Sequence, residues 1–442
     1  MSYELDQAAT RRLQDYFEQI GEILGDRRRR ASFAIYAFGI LGEGERKSAE
    51  PIAARACADP ESADQMHNQM LTFLSRSNWE DEPVRRLATG YALGAMQRRE
   101  EIRAWIVDDT GFLKQGKHSV GVQRQYTGSA GKTTNCQIGV SLTVCTATEQ
   151  LPIDMQLYLP ESWTGDPVLR KRTKIPDDVV FRPKWRIALD MIEGAVQAGF
   201  PVGVVLGDAA YGNVAEFRDG VHSAGLDYAL DVQSTTVVRR VFQNGREGKP
   251  QSLSQLAHGL PAKTFRKVTW REGTRKTLSS KFARMRVRVQ HSDGQWRAEQ
   301  WLLIEWPDDE RDPTHYVLAT VPENTTRKQL VRIVKQRWRI ERSYQDLKGE
   351  LGLDHFEGRS FPGWNHHVTV VLCCYAFIVS ERVRHFPPRD EAVDSNRNGL
   401  VRGLNGTSPI PSSPLASRSR AFWPAGFLAA RHATSRISPP SL

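Results

Sequence analysis

The sequence predicts an α/β protein with a mixed sheet, preceded by a block of helices and interrupted by a long β-rich stretch. Three observations predict it. Apolar residues recur at three- and four-residue spacing as far as about residue 100. Beyond that point short β-branched runs alternate with helical segments, the pattern of a layered α/β domain. Two of those runs, "RAWIVDD" and "PVGVVLGDAAYG", end on aspartate.

The elements follow in order. "RRLQDYFEQIGEIL" sets Leu13, Phe17, Ile20 and Leu24 on one helix face. "ASFAIYAFGIL" and "MHNQMLTFLSRSNWEDEPVRRLATGYALGAM" supply further helices, with Pro83 suited to a first helical turn. Residues 1–100 are thus a helical N-terminal domain. Its arginine clusters read either as a DNA-binding module or as the solvated face of a packing domain. "RAWIVDD", "NCQIGVSLTVCTATEQ" and "LPIDMQLYLP" read as strands. The Gly/Lys/Ser-rich stretch "TGFLKQGKHSVGVQRQYTGSAGKTT" between the first two reads as a loop. "KWRIALDMIEGAVQAGF" is a helix, "PVGVVLGDAAYG" a buried strand, "NVAEFRDGVHSAG" a helix and "LDYALDV" a strand. Residues 236–321 are β-rich throughout and read as an insertion between 101–235 and 322–386. Helical sequence resumes at 324, with Asn324 or Thr325 as N-cap. The Ser/Pro/Arg-rich segment 387–442 has no periodicity and reads as a disordered tail.

Charge narrows the class. Lysine plus arginine number 61 against 51 acids, a net charge of +10, which favours a polyanionic partner such as nucleic acid over an indifferent surface. No apolar run in the sequence reaches the roughly 18–20 residues that span a bilayer. The N-terminus lacks a signal-peptide layout, so a cytoplasmic, nucleoid-associated protein without a membrane partner is expected. Five cysteines without a C-x-x-C pair read as small buried hydrophobes.

Three acids stand out by context. Asp108 (or its neighbour Asp109) and Asp208 close apolar runs, where α/β ligand sites form at strand ends. An aspartate in such a place is also a common turn residue or helix cap. Glu341 lies in "RWRIERSYQDLKGELGL", a helical stretch in which Arg337, Glu341, Tyr344 and Lys348 share one face. That face reads either as a surface salt-bridge ladder or as a metal-binding carboxylate flanked by phosphate-binding cations. Two-metal phosphodiester cleavage gives three carboxylates one purpose, because paired Mg²⁺ ions roughly 3.5–4 Å apart need few protein ligands.

At these residues the chain resembles bacterial insertion-sequence transposases with a DDE catalytic core, and within them the insertion-sequence 701 branch of the insertion-sequence 4 superfamily. The blocks that carry the resemblance are "DDTGFLKQGKHSVGVQRQYTGSAGKTTNCQIGVSL", "GDAAYGN", "RWRIERSYQDLKGELGLDHFEGRSFPGWNHHVTVVLCCYAF" and, near the start, "ERKSAEPIA". It implies a ribonuclease-H-like catalytic domain with the β-rich insertion between the second Asp and the Glu. It implies Asp108, Asp208 and Glu341 as catalytic metal ligands, with Asp109 as the alternative to Asp108. The expected cofactor is Mg²⁺, two ions, with Mn²⁺ as substitute. Of the superfamily's Tyr, Arg, Glu, Lys signature, Arg337, Glu341 and Lys348 match, and Val334 stands where the Tyr belongs. Arg337, Lys348 and Arg342, with Lys114, Lys117 and Arg124 of the Gly-rich loop, are the expected DNA contacts. Trp270, Trp296, Trp301 and Trp306 are candidates for stacking on a flipped base, or are core residues of the β layer.

The expected activity is cleavage at terminal inverted repeats followed by strand transfer into target DNA. A homodimer on the paired ends is expected, and no small-molecule substrate. The rivals are a transposase-derived DNA-binding protein without activity and a ribonuclease-H-like nuclease that cuts without joining.

Overall fold

The computed structural model describes residues 7–272, 277–291 and 294–385. The tail expected over 387–442 lies outside them. Five helices come first: α1 (Gln7–Leu24), α2 (Arg27–Leu41), α3 (Ala49–Ala56), α4 (Pro60–Ser75) and α5 (Asp81–Gln97). Leu13, Phe17, Ile20 and Leu24 of α1 are buried, as their spacing requires. Asp26 caps α2 and Asp59 caps α4, each accepting backbone N–H groups that the first turn leaves unpaired.

Four strands follow: β1 (Ala104–Leu113), β2 (Gln123–Thr127), β3 (Lys132–Cys145) and β4 (Gln150–Tyr158). β2 falls inside the stretch read as a loop. Its residues, "QRQYT", lack an apolar alternation, and pairing with β3 rather than burial makes it a strand. Helices α6 (Glu161–Thr164), α7 (Pro167–Thr173) and α8 (Lys184–Gln197) lead to β5 (Val204–Gly207). Then come α9 (Ala209–Gly212), α10 (Ala215–Ser223) and β6 (Tyr228–Asp231). The next segment holds β7 (Val237–Val241), β8 (Gln251–Ser252), α11 (Leu253–His258), β9 (Arg266–Glu272), β10 (Thr277–Val289), β11 (Gln300–Glu305) and β12 (His315–Ala319).

The strands form one mixed sheet in the order β2-β3-β1-β5-β6-β12-β11-β10-β7-β8, with β4 beside β3 and β9 beside β10. β1, β5 and β6 run parallel, while the other pairings are antiparallel. The strands within 236–321 extend this sheet, because β12 pairs with β6 at Val317↔Asp231 and Ala319↔Ala229.

The late helical stretch is segmented. α12 (Arg327–Val334) gives way to a 3₁₀ turn at Lys335–Trp338, then to α13 (Arg339–Gln345), then to a π-helical turn at Asp346–Glu350. Its cap is Thr326, in place of Asn324 or Thr325. Thr326 and Gln329 form a reciprocal capping box, the T-x-x-Q signature that outweighs the neighbouring Asn. α14 (Phe361–His385) is a 25-residue helix, longer than its apolar stretch suggests. It is buried within the fold and packs on α5, α4, α2 and β4, so the N-terminal helices and the sheet share one hydrophobic core. Arg12 of α1 closes on the fully buried Glu381 of α14 at 2.8 Å. All five cysteines are unbridged, and all but Cys57 are buried.

"GDAAYGN" packs α9 directly on β6. A Cβ added at Gly212 would stand 1.9 Å from the Asp231 carbonyl oxygen. Gly212→Ala is therefore expected to destabilise by about 1–3 kcal/mol, read as a lower urea midpoint, although alanine ordinarily favours a helix. Gly194→Ala on α8, where nothing lies within 4 Å, is expected to stabilise by up to about 1 kcal/mol. Equal effects at the two glycines would contradict the packing.

Candidate active site

Strand register builds the site. β1 and β5 pair at Ala104↔Val204, Trp105↔Val205 and Ile106↔Leu206. Asp108 and Asp208 each stand two residues beyond the last pair, level with one another: Asp208 just past the carboxyl end of β5, and Asp108 midway along β1, which runs on to Leu113 paired with β3 through residues whose composition reads as a loop. β5 and β6 pair at Gly207↔Leu230, which sets Asp231 beside Asp208. Sequence reading missed Asp231, although "YALD" carries the same signal of an apolar run ending in acid.

Alternation separates Asp108 from Asp109. Asp108 Oδ1 accepts the Asp109 N–H at 2.7 Å, and its Oδ2 lies 3.6 Å from Arg337 Nη1. Asp109 Oδ2 instead accepts from Lys184 Nζ at 2.9 Å, at the start of α8. Burial pushes the Asp108 carboxyl up to about 7; Arg337 pulls it down and the Asp208 charge pushes it further up. Asp208 caps α9 through one oxygen, accepting the Ala210 N–H at 2.9 Å. The cap role and the strand-end role fall on the same residue.

α13 and its flanks lie against β1 and β3 by one face. Arg337 reaches Asp108 and, at 4.0 Å, Asp231. The Tyr344 hydroxyl bonds Ser141 Oγ of β3 at 2.7 Å. Lys348 Nζ donates to Thr110 Oγ1 and the Gly111 carbonyl of β1, both at 2.8 Å, and burial lowers its pKa. Glu341 of α13 is exposed, with no side-chain hydrogen bond or ion pair among the described residues. The described residues hold no cluster of three or more acidic, His or Cys ligands. Asp108 and Asp208 are thus brought together, with Glu341 nearby in sequence face and outside their contact.

The other expected cations have local partners or open positions. Arg342 pairs with Asp346 at 3.0 Å, and Lys114 donates to the Phe356 carbonyl at 2.6 Å. Lys117 and Arg124 are exposed. His366 and His367 are buried against carbonyls of Leu74, Trp79 and Leu353. All four tryptophan candidates have ring neighbours: Lys335 over Trp270, Arg239 over Trp296, Arg284 and Arg286 over Trp301, and His258 and Phe265 edge-on to Trp306.

A hard divalent cation fits this centre. Its donors are carboxylates, and burial holds one of them, Asp108, far above its ordinary range. The Tyr211 hydroxyl, buried close to Asp109, Asp108, Tyr344 and Asp208, has no partner among the described residues. Such an orphaned donor marks a polar centre that the side chains alone leave incomplete.

The raised Asp108 carboxyl has a consequence for stability. In the unfolded chain it ionises near pH 4, and in the folded protein near 7, so ionisation in the native state works against folding. The resulting stability loss begins above about pH 4 and is complete above about pH 7. Asp108→Asn, measured without divalent cation, is expected to melt several degrees higher than wild type at pH 8 and to lose that advantage below about pH 4. An advantage independent of pH would refute the assignment.

A family model described as a DDE superfamily endonuclease matches residues 17–277. One described as a transposase DDE domain matches residues 184–377. The chain is similar to a protein of Microchaete diplosiphon named as a probable transposase for insertion sequence element IS701. The two are 24% identical over 364 residues, which cover 81% of this chain and 85% of that protein. With Asp108 and Asp208 inside the first match and its late helix inside the second, this chain belongs to the DDE superfamily endonuclease family.

Proposed function

We propose that this protein is a DNA transposase that binds the terminal inverted repeats of its own insertion sequence, cuts there and joins the cut end to target DNA. The observation that carries the reading is the level pair Asp108 and Asp208 on adjacent parallel strands, facing a helix that bears Arg337 and Glu341. The catalytic layer is read as ribonuclease-H-like over 101–235 and 322–386, with 236–321 as its insertion. Helices α1–α5 are read as a DNA-binding N-terminal domain. Joining two ends calls for a homodimer, and DNA is the partner on which the cationic surface acts in the cytoplasm.

The chemistry is hydrolysis, then transesterification. Water attacks the phosphorus at the element's end, the P–O3′ bond breaks, and the element keeps a 3′-hydroxyl while the flank keeps a 5′-phosphate. That hydroxyl then attacks a target phosphodiester and displaces the target's own 3′-oxygen. Asp108, Asp208 and Glu341 would hold the Mg²⁺ (or Mn²⁺) ions, which when bound supply activation of the attacking oxygen and charge neutralisation at the leaving one. Arg337 pairs with Asp108 and Asp231 and presents a planar fork suited to a phosphate. Lys348 fixes α13's flank to Thr110 and Gly111, so it positions the helix against β1. Tyr344 does the same on β3 through Ser141.

Two measurements test this. Labelled duplex carrying the element's ends should be cut at the element boundary by wild type with Mg²⁺. Glu341→Gln should bind the same duplex and cut it at least about 10³-fold more slowly, as expected when a metal-holding carboxylate is lost. Binding without cutting by wild type would leave a DNA-binding protein in place of a transposase, and cutting without joining would leave a nuclease. Separately, Mg²⁺ should raise the melting temperature of wild type, by mass action on the native state, and raise that of Asp208→Asn much less.

A further inference from the structure

β7, β10, β11 and the start of α12 wall a cleft of about 920 Å³, well away from Asp108 in the sheet order. Five arginines line it: Arg240, Arg246, Arg284, Arg286 and Arg327. The one carboxylate in the lining, Glu299, is taken by Arg286 at 2.6 Å. Arg240, Arg246, Arg284 and Arg327 pair with no carboxylate among the described residues. Cations crowded in this way repel one another, and their desolvation is uncompensated.

The arrangement is built, not loose. Trp301 of β11 stands directly opposite Arg286 of β10, with Arg284 two residues along the same face. Both guanidiniums lie over its ring, at 4.0 Å for Arg284 and 4.6 Å for Arg286. Stacking fixes the guanidinium planes and leaves their N–H edges for a ligand. Arg284 also donates to the Thr325 carbonyl, which ties the ladder to the cap of α12. The Nε of Arg327 is buried without a hydrogen-bond partner among the described residues. Burial lowers the pKa of Arg327, and the charges of Arg266 and Arg284 lower it further.

We propose that this cleft is a phosphate-backbone site for duplex DNA, with Arg284 and Arg327 at its centre and Trp301 holding the guanidiniums rather than stacking on a base. The proposal rests on the transposase reading and adds a second contact to it, remote from the cut. β10 lies five strands from β1 in the sheet, roughly 24 Å at about 4.8 Å per strand, so at about 3.4 Å per base pair the phosphates in the cleft fall roughly seven base pairs from the cleaved bond.

Fluorescence anisotropy against salt concentration tests it, using duplex with the element's terminal repeat and Arg284→Gln/Arg327→Gln. The slope of log affinity against log salt should become shallower by about 2, at roughly 0.9 per lost phosphate contact, with affinity down at least about 10-fold near 0.1 M salt. Arg284→Lys/Arg327→Lys should keep most of the slope. Arg246→Gln, on an exposed turn, should lower the slope by about 1 even if the double variant is unstable. Ethylation interference should lose its signal roughly seven base pairs from the cut and keep the signal at the cut. Unchanged slope and interference in the variants, with wild type binding DNA normally, would overturn the cleft proposal alone. Failure of wild type to bind DNA at all would overturn the transposase reading, and this proposal with it.

Discussion

The structure turns on parallel register. β1 and β5 run the same way and pair over three residues, so their register brings Asp108, midway along β1, level with Asp208, just past the end of β5. β6 continues the register and delivers Asp231. Burial makes a charge at Asp108 costly, and the neighbouring Asp208 charge adds to that cost. The surroundings answer the same need. Arg337 reaches across to both Asp108 and Asp231, His315 stands beside Asp231 at 3.5 Å, and Lys184 takes Asp109 on the opposite face.

A charged edge of this kind needs a stiff support. β1 is buried along most of its length, and its far side is closed by the core that α14 shares with the N-terminal helices. Loops between these layers are pinned by single bonds to backbone. The Val120 N–H meets the Arg359 carbonyl, Lys114 meets the Phe356 carbonyl, and His367 joins the Tyr36 hydroxyl to the Leu353 carbonyl. Burial holds the His367 imidazole down to about 4, so it serves as a neutral bridge with one N–H to give and one lone pair to receive. The first catalytic block is thereby attached to backbone carbonyls of the segment after Lys348, through the Val120 N–H and the Lys114 ammonium.

Much of this was legible in the sequence, and the illegible parts share a physical cause. Asp108 and Asp208 were visible because each ends an apolar run, a local signal. Asp231 gives the same signal in "YALD" yet went unremarked, because nothing local says that β6 lies next to β5. β2 was hidden because a polar strand owes its conformation to its partner. The five longer strands of 236–321 were each readable, but their continuation of the main sheet depends on β12 choosing β6, a pairing across more than eighty residues. The late helix showed its face through spacing. Its 3₁₀ and π-helical turns did not show, since they redistribute hydrogen bonds without changing composition.

Those turns bear on the one member of the face that stays apart. Arg337, Tyr344 and Lys348 are each bound to β1 or β3, so the orientation of α13 is fixed at three points. Glu341 lies between them and is left in solvent. Electrostatics explains the difference. Arg337 gains by approaching Asp108, whereas Glu341 would bring a further negative charge to a carboxyl already pushed up by burial and by Asp208. At close range in a partly buried site, that repulsion amounts to several kcal/mol at an effective dielectric near 20. Only added positive charge reverses its sign. Under the proposed transposase reading, a bound cation would be what lets Glu341 join Asp108 and Asp208, and Arg337 would then be available to a phosphate.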